Sequence, residues 1–405
     1  MVGQRPFGEL ITFDQALSTI MKEVDEVKET ENVPLTVSRG RVLGENVKSS
    51  IFVPPFDRAA MDGFAVKAEN TYGAGKFDPI EMRCIENVHA GETPDKKLKK
   101  GQCAQIATGA PIPEGANAVV KVEVTEKEGD TVIIYEPVHP QENISPKGED
   151  IKEGDTVLER GKYLTPARIG ALAAIGKKEV DVYKKPQIGI IPTGDEVVPL
   201  ENELKPGQIY DVNSYTLSTI VEQNGGVPVR GTVVQDTLKG LKDEVNKRSK
   251  DLDMVLFSGG SSVGDRDILI DALDSLGKVI FHGVKIKPGK PTLFGKVNGT
   301  PVIGMPGYPT SCLNTAQHLI RPAIRKMASL PEPCEKTIQA ALQKRITSSL
   351  GREQYMTVRL EDDKAFPVYK QSGAITSMAH ADGYFKIPEN VELIDRGNQI
   401  EVFLF

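Results

Sequence analysis

At 405 residues the chain exceeds what one hydrophobic core usually supports, so we expect two or more domains. Hydrophobic residues make up 39% and charged residues 26%, a globular balance, and no apolar run is long enough to cross a bilayer. The net charge of −6 argues against a general nucleic-acid surface and requires any anion to be bound in a local pocket.

The N-terminal sequence and the cysteines limit the cellular setting. The start, MVGQRPFGELITFDQAL, carries acids early and lacks the basic-then-apolar order of a signal peptide, which predicts a cytoplasmic protein. The cysteines Cys84, Cys103, Cys312 and Cys334 are scattered and form no C-x-x-C pair. Their spacing therefore predicts neither a disulfide framework nor a zinc ribbon.

The first part of the chain predicts a β-rich domain inserted into a second domain. Residues 1–50 contain a helical pattern, FDQALSTIMKEV, and residues 146–183 contain another, PARIGALAAIG. The intervening residues 51–145 are rich in Val, Gly and Pro, with short strand-like runs such as TVIIYEPV. We predict a β-rich domain at 51–145 and a connecting domain built from the two flanking segments.

The second part predicts an α/β domain and a small terminal β domain. Over 184–328, short apolar runs such as QIGIIP and DMVLF alternate with longer helical segments such as DVNSYTLSTIVEQ and LKGLKDEVNKRSK. This alternation is typical of an open, mostly parallel sheet covered by helices on both faces. After the linker PEPCEK, residues 335–405 again alternate like a small β domain. The whole chain is thus predicted to be multidomain, α/β plus β-rich.

The loops that follow the predicted parallel strands are the expected ligand site. Ligands of open parallel sheets bind outside the carboxyl ends of the strands, where loop amides point outward. These loops concentrate glycines, hydroxyls, acids and lysines, and they read PTGDE (192–196), QD (235–236), SGGSSVGDRD (258–267), KIKPGKP (285–291) and GMPGYPTS (304–311). Glycine amides, hydroxyls and lysines suit a phosphate ester, and carboxylates suit Mg²⁺. The sequence predicts a phosphate pocket with a metal.

Candidate residues follow from these loops. The predicted substrate-binding donors are Thr193, Gly194, Ser258, Gly259, Gly260, Ser262, Gly264, Lys287 and Lys290. Glu196, Asp236 and Asp267 are the preferred metal ligands, in the vicinity of Mg²⁺ or of a metal oxyanion. Asp195 and Asp265 have an alternative role as helix or turn caps, and Lys285 as a solvated strand residue.

The run Gly260-Ser261-Ser262-Val263-Gly264 also matches the G-x-S-x-G elbow of serine hydrolases. A hydrolase nucleophile follows its strand immediately, whereas Ser258 and Gly259 intervene here. The histidines that come later in the chain have no partner motif. We therefore favour Ser262 as a hydrogen-bond donor and keep the nucleophile as the minor alternative.

Eight segments together resemble the molybdopterin molybdenumtransferase family, known as MoeA in prokaryotes and as the E domain of gephyrin in animals. They are PPFDRAAMDGFAV, QIATGAPIPEGANAVVKVE, PKGEDIKEGD, IIPTGDEVV, GQIYDVNSY, SGGSSVGDRD, KIKPGKPTLFG and GMPGYPTSC. The resemblance implies a four-domain subunit that forms a homodimer, with an α/β domain like that of the partner enzyme, molybdopterin adenylyltransferase. It also implies Mg²⁺-dependent insertion of molybdate into adenylylated molybdopterin, with release of AMP.

The resemblance further implies roles for individual residues. Asp62 and Thr108 match functional positions of the β-rich domain that face the α/β pocket of the other subunit, and Asp150 matches another functional position. Glu196, Asp236, Asp267, Lys287 and Lys290 match the acids and bases of the pocket. Pro306, Gly307 and Pro309 match a loop that shapes its wall. Arg352 and Ser377 match the C-terminal domain more weakly, and Gly283 stands where some members carry a lysine.

Several alternatives remain open from sequence. Asp62 precedes a glycine and could be a turn residue, and Thr108 could bond to its own backbone. Tyr308 and Met305 are expected to be packing residues. Tungstate resembles molybdate in size and charge, and a gephyrin-like scaffold without catalysis is the other functional alternative. The set of acids and lysines favours the enzyme, because a scaffold would not need it.

Overall fold

The computed structural model describes residues 9–259, 268–368 and 374–405. The chain divides into two compact units. We call Asn32–Arg39 with Leu43–Asp181 the N-terminal β unit. The remaining residues, which include Val182–Phe405, are called the α/β unit. The four-domain boundaries drawn from sequence stay a prediction.

Helix α1 (Phe13–Glu23) belongs to the α/β unit. Thr12 begins it with a capping box, in which the Thr12 hydroxyl accepts from the Gln15 N–H and the Gln15 side chain accepts from the Thr12 N–H. Phe13, Ala16 and Ile20 form an apolar stripe that is buried in the core beneath the α/β sheet. Sequence had placed this helix in the connecting domain. Its stripe packs on the sheet instead, because that is where the matching apolar surface lies.

The N-terminal β unit is built mainly from short strands. After β1 (Thr30–Pro34), which crosses into this unit, the strands are β2 (Val47–Lys48), β3 (Arg58–Ala59), β4 (Gly63–Val66), β5 (Ile80–Val88), β6 (Gln102–Ile106), β7 (Ala118–Lys121), β8 (Thr125–Glu128), β9 (Thr131–Ile134), β10 (Ile144–Ser145) and β11 (Thr156–Leu158). Helix α2 (Pro166–Ala174) follows, and β12 (Glu179–Tyr183) leads out. Single 3₁₀ turns lie at Leu35–Val37, Ala68–Asn70 and Val122–Val124.

Six of these strands form one sheet in the order β7-β4-β6-β5-β9-β8. Strand β4 is buried on both faces: Phe64 and Val66 enter one apolar cluster, and Ala65 enters the cluster on the other side. This follows from the period of two along a strand. Strand β4 pairs with β6 in an antiparallel register that opposes Gly63 to Ile106.

The α/β unit contains the predicted open sheet. Its elements are β13 (Gln187–Pro192), β14 (Val197–Val198), β15 (Ile209–Tyr210), α3 (Asn213–Gln223), β16 (Val227–Arg230), α4 (Leu238–Asp251), β17 (Met254–Ser258), α5 (Ile268–Leu276), β18 (Lys278–His282), β19 (Ile286–Lys287), β20 (Leu293–Val297), β21 (Thr300–Met305), α6 (Pro309–Thr315) and α7 (Arg321–Met327). A π-helical segment, Ala316–Ile320, joins α6 to α7.

This sheet has the order β16-β13-β17-β21-β20-β18, and its first four strands are parallel. Both faces are covered. Met254 and Leu256 of β17 enter the core shared with α1, α3 and α7, whereas Val255 and Phe257 enter the core shared with α4 and α5. The α/β fold predicted from the alternation of apolar runs is therefore confirmed.

The C-terminal strands form a closed ring and a separate two-stranded pair. They are β22 (Thr337–Leu342), β23 (Ile346–Thr347), β24 (Glu353–Glu361), β25 (Lys364–Pro367), β26 (Gly383–Ile387), β27 (Leu393–Ile394) and β28 (Gln399–Leu404), with a short helix α8 (Thr376–Ala379). The pair consists of β23 and β27. The pairing order β24-β25-β22-β28-β26 closes because β26 also pairs with β24. Strand β19 adds to β24 from outside the ring.

An aromatic cluster joins this ring to the α/β sheet. His318, in the π-helical segment, stacks on Tyr355 at 3.9 Å between ring centroids and meets Tyr384 edge-on at 4.6 Å. Burial, with the charges of Lys386 and Arg321 adding to it, holds the pKa of His318 well below its usual range. The imidazole is therefore neutral and acts as a packing group at neutral pH.

Candidate active site

The carboxyl ends of three parallel strands meet at one edge of the α/β sheet. The register opposes Pro192 of β13 to Ser258 of β17, and Ser258 to Met305 of β21. The residues that follow are held side by side, because the Thr193 N–H donates to Ser258 O at 3.1 Å and the Gly259 N–H donates to Met305 O at 3.2 Å. Three separate loops are thereby gathered at one place.

A cavity of about 650 Å³ opens at this edge. Nine of the residues predicted from sequence line it: Thr193, Gly194, Glu196, Asp236, Ser258, Gly259, Pro306, Gly307 and Pro309. Gly259 has φ 107°, and a Cβ there would lie 2.7 Å from Thr193 O, so only glycine fits between the strand ends. The volume lies within the range of small-molecule sites.

Asp236 is an acid of this cavity whose pKa is shifted by its surroundings. Burial raises its pKa, the negative charges of Asp195 and Glu196 raise it further, and the Thr193 side chain acts in the opposite direction. Its Oδ1 atom is buried and has no partner in full hydrogen-bonding geometry among the described residues, because the Thr193 hydroxyl, the neighbouring donor that lowers this pKa, does not meet that geometry. A half-buried carboxylate with a free acceptor next to two further acids favours a cation in the cavity.

Magnesium suits this donor set. Within residues 9–259, 268–368 and 374–405, no three His, Cys, Asp or Glu side chains form a metal-binding group. Mg²⁺ usually takes only one or two carboxylates and completes its shell with water and substrate phosphate oxygens. Asp236 and Glu196 provide such oxygens, so the cavity fits Mg²⁺ bound together with a phosphate-bearing ligand.

Five predicted residues lie outside the described part of the chain: Gly260, Ser262, Gly264, Asp265 and Asp267. The choice between a hydrolase elbow and a donor role for Ser262 therefore stays a prediction. The same holds for Asp267 as a metal ligand and for Asp265 as a cap.

The KIKPGKP loop joins the cavity to the C-terminal ring. Pro291 of this loop lines the cavity, and the Asn314 side chain of α6 donates to Pro288 O at 2.8 Å. Lys287 Nζ donates to Ser349 Oγ at 3.1 Å, and β19 pairs with β24 directly after Arg352. Lys285 directly precedes β19, and its carbonyl accepts from the Glu353 N–H.

The remaining predicted residues of this region are placed as follows. Lys290 is half-buried, and its carbonyl accepts from the Val284 and Thr292 N–H groups, both at 2.9 Å. Ser377 is buried in α8 and donates to Ala374 O at 2.8 Å. Gly283 has φ 96°, a conformation that favours glycine.

Sequence reasoning missed the role of Asn213. Its Nδ2 donates to Gly307 O at 2.9 Å and so ties the start of α3 to the loop after β21. Asn213 also lines the cavity, and its buried Oδ1 has no hydrogen-bond partner among the described residues. The only sequence signal was its place in the segment DVNSY, which carried the resemblance without a role.

Two packing predictions had different outcomes. Met305 is fully buried in the core, as predicted. Tyr308 is 66% exposed and lines the cavity, so its prediction as a packing residue is wrong. Pro309 occupies the first turn of α6 directly after Tyr308, where its fixed φ suits the start of a helix.

Asp62 and Thr108 lie together on the N-terminal β unit. The Thr108 N–H and hydroxyl both donate to Asp62 Oδ1, at 2.7 and 2.8 Å. These bonds, the backbone bond first, hold the pKa of Asp62 below its usual range. The Thr108 hydroxyl thus bonds to Asp62 rather than to its own backbone. Asp150 is exposed in the same unit, and its N–H donates to Val53 O at 3.0 Å.

We expect Thr108→Val to raise the pKa of Asp62 part of the way to its usual value, because the hydroxyl bond is lost while the N–H bond remains. ¹³C NMR of the side-chain carboxyl over a pH series measures this. Because the pKa of Asp62 is lower in the folded state, the bonds from Thr108 stabilise the fold at pH values above the ordinary aspartate pKa. This stabilisation is lost as the pH falls through the folded-state pKa. Thr131→Val serves as the control, and an unchanged Asp62 titration in Thr108→Val would contradict the geometry.

Comparisons with known proteins agree along the chain. Three family models match: "MoeA N-terminal region (domain I and II)" over residues 11–176, "Probable molybdopterin binding domain" over 189–326, and "MoeA C-terminal region (domain IV)" over 339–405.

In the part of the chain that the structure describes, no helix has the length and apolar character needed to span a membrane.

Individual relatives cover nearly the full length. A molybdopterin molybdenumtransferase 2 of Mycobacterium tuberculosis is 35% identical over 381 residues, which is 92% of this chain and 94% of that protein. A molybdopterin molybdenumtransferase of Nostoc sp. is 32% identical and covers 95% of this chain and 90% of that protein. A molybdopterin biosynthesis moeA protein from Pyrococcus horikoshii superposes with a TM-score of 0.83 at 35% identity, over 98% of this chain and 100% of that one. With models matched along most of its length and relatives above 30% identity, the chain belongs to the MoeA family of molybdopterin molybdenumtransferases.

Proposed function

We propose that this protein inserts molybdate into adenylylated molybdopterin and releases AMP. Family membership gives the chain a role in molybdenum cofactor biosynthesis, as a transferase. The observation that carries the finer proposal is Asp236, whose buried, unbonded Oδ1 lies in a cavity of about 650 Å³ among other acids and strand-end loops. A site for phosphate alone would not need an acid there, since a carboxylate repels an anion unless a cation lies between them.

The residues divide the proposed work among them. Amides of the strand-end loops at Gly194 and Gly259, with the hydroxyls of Thr193 and Ser258, donate to phosphate oxygens. Lys287 and Lys290 supply positive charge along the neighbouring loop, with Arg352 and Ser377 contributed by the C-terminal ring. Pro306, Gly307 and Pro309 shape the wall, and Ser262 and Asp267 join the set from outside the described residues.

The acids would hold the metal that the reaction needs. Asp236 and Glu196, with Asp267, are the proposed ligands, and bound Mg²⁺ would neutralise the pyrophosphate as its phosphoanhydride is hydrolysed to AMP. Holding molybdate beside the dithiolene sulfurs in the same cavity would couple hydrolysis to insertion by proximity. The protein would work beside a molybdopterin adenylyltransferase, which makes the adenylylated substrate.

We further propose that the active site is shared in a homodimer. Asp62 is an exposed carboxylate, and the two bonds from Thr108 that lower its pKa also fix its orientation. Such a pair suits a role towards a ligand outside its own unit, in the cavity of the partner subunit. Asp150, exposed in the same unit, is proposed to act from that side as well.

Incubation of the protein with adenylylated molybdopterin, Mg²⁺ and either molybdate or tungstate tests the reaction. We expect AMP and pterin-bound metal to appear in equal amounts, and both to require the divalent cation. The two oxyanion arms distinguish a molybdenum cofactor from a tungsten cofactor. AMP release without pterin-bound metal in either arm, or no AMP at all, would contradict the proposal.

A further inference from the structure

The outer wall of the cavity carries exposed aromatic and apolar side chains. Tyr308 is 66% exposed, Tyr210 38% and Ile209 54%, and all three line the cavity. The polar residues Thr193 and Ser258 also line it and are almost fully buried, with exposures of 3% and 4%. The cavity therefore combines buried polar groups with an exposed aromatic wall.

The backbone that carries Tyr308 is fixed on both sides. Asn213 Nδ2 donates to the carbonyl of the preceding residue, Gly307, at 2.9 Å. The carbonyl of Tyr308 itself accepts from the Cys312 N–H at 2.9 Å. Tyr308 is the residue that precedes the first turn of α6, where Pro309 restricts the chain further. The ring can therefore be presented to a ligand with little loss of backbone freedom on binding.

Tyr210 is held in a similar way on the β14–β15 pair. This pair opposes Val198 to Tyr210, and the Asp211 N–H that follows donates to Val198 O at 3.0 Å. Two tyrosines on fixed backbone, at the edge of a cavity with buried polar groups, match a ligand that has a charged end and a flat ring. Tyrosine suits such contacts because its ring is large and rigid and has few rotatable bonds.

We propose that Tyr308 stacks on a flat nitrogen heterocycle of the bound substrate, while the phosphate end of the same ligand meets the strand-end loops. The inference rests on the proposed function, whose substrate carries two such heterocycles, a pterin and an adenine. Asn213 is then a positioning residue, because it fixes the loop from which Tyr308 projects. Stacking assigns Tyr308 a part in substrate selectivity that phosphate contacts cannot supply.

Binding by the full-length protein tests this with three probes: a pterin that carries a phosphate ester on its side chain, AMP, and pyrophosphate. The first is followed by pterin fluorescence and the other two by calorimetry. Tyr308→Ala should lower the affinity for at least one of the two heterocyclic probes by about 5- to 100-fold, the range expected for loss of one stacked ring. Tyr308→Phe should retain the affinity, and pyrophosphate should bind unchanged to both variants.

Tyr215→Ala is the matched control, since Tyr215 is an exposed tyrosine of α3 that packs on Arg230 instead. It should bind all three probes like wild type. Loss of pterin affinity alone assigns the pterin to Tyr308, and loss of AMP affinity alone assigns the adenine. The inference would be overturned if Tyr308→Ala bound both heterocyclic probes with wild-type affinity, or if its affinity for pyrophosphate fell as much as its affinity for them. It would also be overturned if the wild-type protein bound neither heterocyclic probe more tightly than pyrophosphate. If the protein binds a heterocyclic probe through Tyr308 but releases no AMP in the reaction assay, the proposed reaction is refuted and the stacking by Tyr308 is still supported.

Discussion

Asp236→Asn should reduce AMP release by roughly 100-fold or more, because it removes a ligand from the proposed metal and with it part of the charge neutralisation, an effect worth several kcal/mol. AMP release at saturating substrate, over a series of Mg²⁺ concentrations, measures the loss. The control is Asp243→Asn, an exposed aspartate of α4 in the same unit, which should release AMP at the wild-type rate. Wild-type turnover in Asp236→Asn would remove this residue from the site.

The same substitution should leave the fold at least as stable as wild type at neutral pH. The folded-state pKa of Asp236 is raised by burial and by Asp195 and Glu196, so its contribution to stability is present below the unfolded pKa and is lost as pH rises through the folded value. Asparagine does not ionise and avoids this loss. Thermal unfolding should therefore give a Tm for the variant equal to or above wild type at pH 7, with the difference disappearing at about pH 3.5.

Adding Mg²⁺ provides a readout independent of catalysis. A cation that binds only the folded state raises Tm by mass action. We expect Mg²⁺ to raise the Tm of the wild type, and of Asp243→Asn, more than that of Asp236→Asn. Equal shifts in all three proteins, or a variant that unfolds at lower temperature than wild type at pH 7, would show that Asp236 serves the fold rather than the metal.

Mixing two inactive variants should restore activity if the site is shared. Asp62→Ala and Asp236→Ala homodimers are each expected to lose roughly 100-fold or more in AMP release. After subunit exchange, every mixed dimer has one site with both defects and one site with neither. With equal amounts and random exchange, half of the dimers are mixed, so activity should recover to about a quarter of the wild-type value.

Differently tagged subunits that purify together show how many mixed dimers have formed, and recovery should follow that fraction. Asp78→Ala, at an exposed aspartate of the N-terminal β unit, is the control and should be active without mixing. Mixed dimers that form while activity stays at the homodimer level would refute the shared site. Asp62 would then act within its own chain or only hold Thr108.

The amino-acid sequence by itself determined the class of fold and which loops line the cavity of the α/β unit. Apolar runs such as DMVLF alternate with helical segments, and an apolar run in this setting has to be buried on both faces, which is what β17 shows. Because parallel strands end at one edge, the loops after β13, β17 and β21 could be assigned to one cavity before their geometry was known. Thr193, Ser258 and Pro306 are found there.

Pairings between residues distant in sequence were decided only by the tertiary structure. Sequence predicted that Asp62 and Thr108 face the same pocket but not that they bond to each other, and the register that opposes Gly63 to Ile106 is what brings them within hydrogen-bond distance. Such a register is set by which strand faces are buried against distant parts of the chain, so the residues around Asp62 and Thr108 do not show it on their own. The same holds for Lys287 and Ser349, which meet because β19 adds to β24.

Exposure was likewise a property of the tertiary structure. Tyr308 has a large aromatic side chain of the kind that is often buried in a core. Its ring lines the cavity instead, because Asn213 and the start of α6 hold the loop that carries it. Helix α1 has an apolar stripe that sequence could detect but could not assign to a partner, and the packed structure places that stripe under the α/β sheet. Hydrophobic attraction has no direction, so a sequence shows which faces must be buried, and only the folded chain shows what buries them.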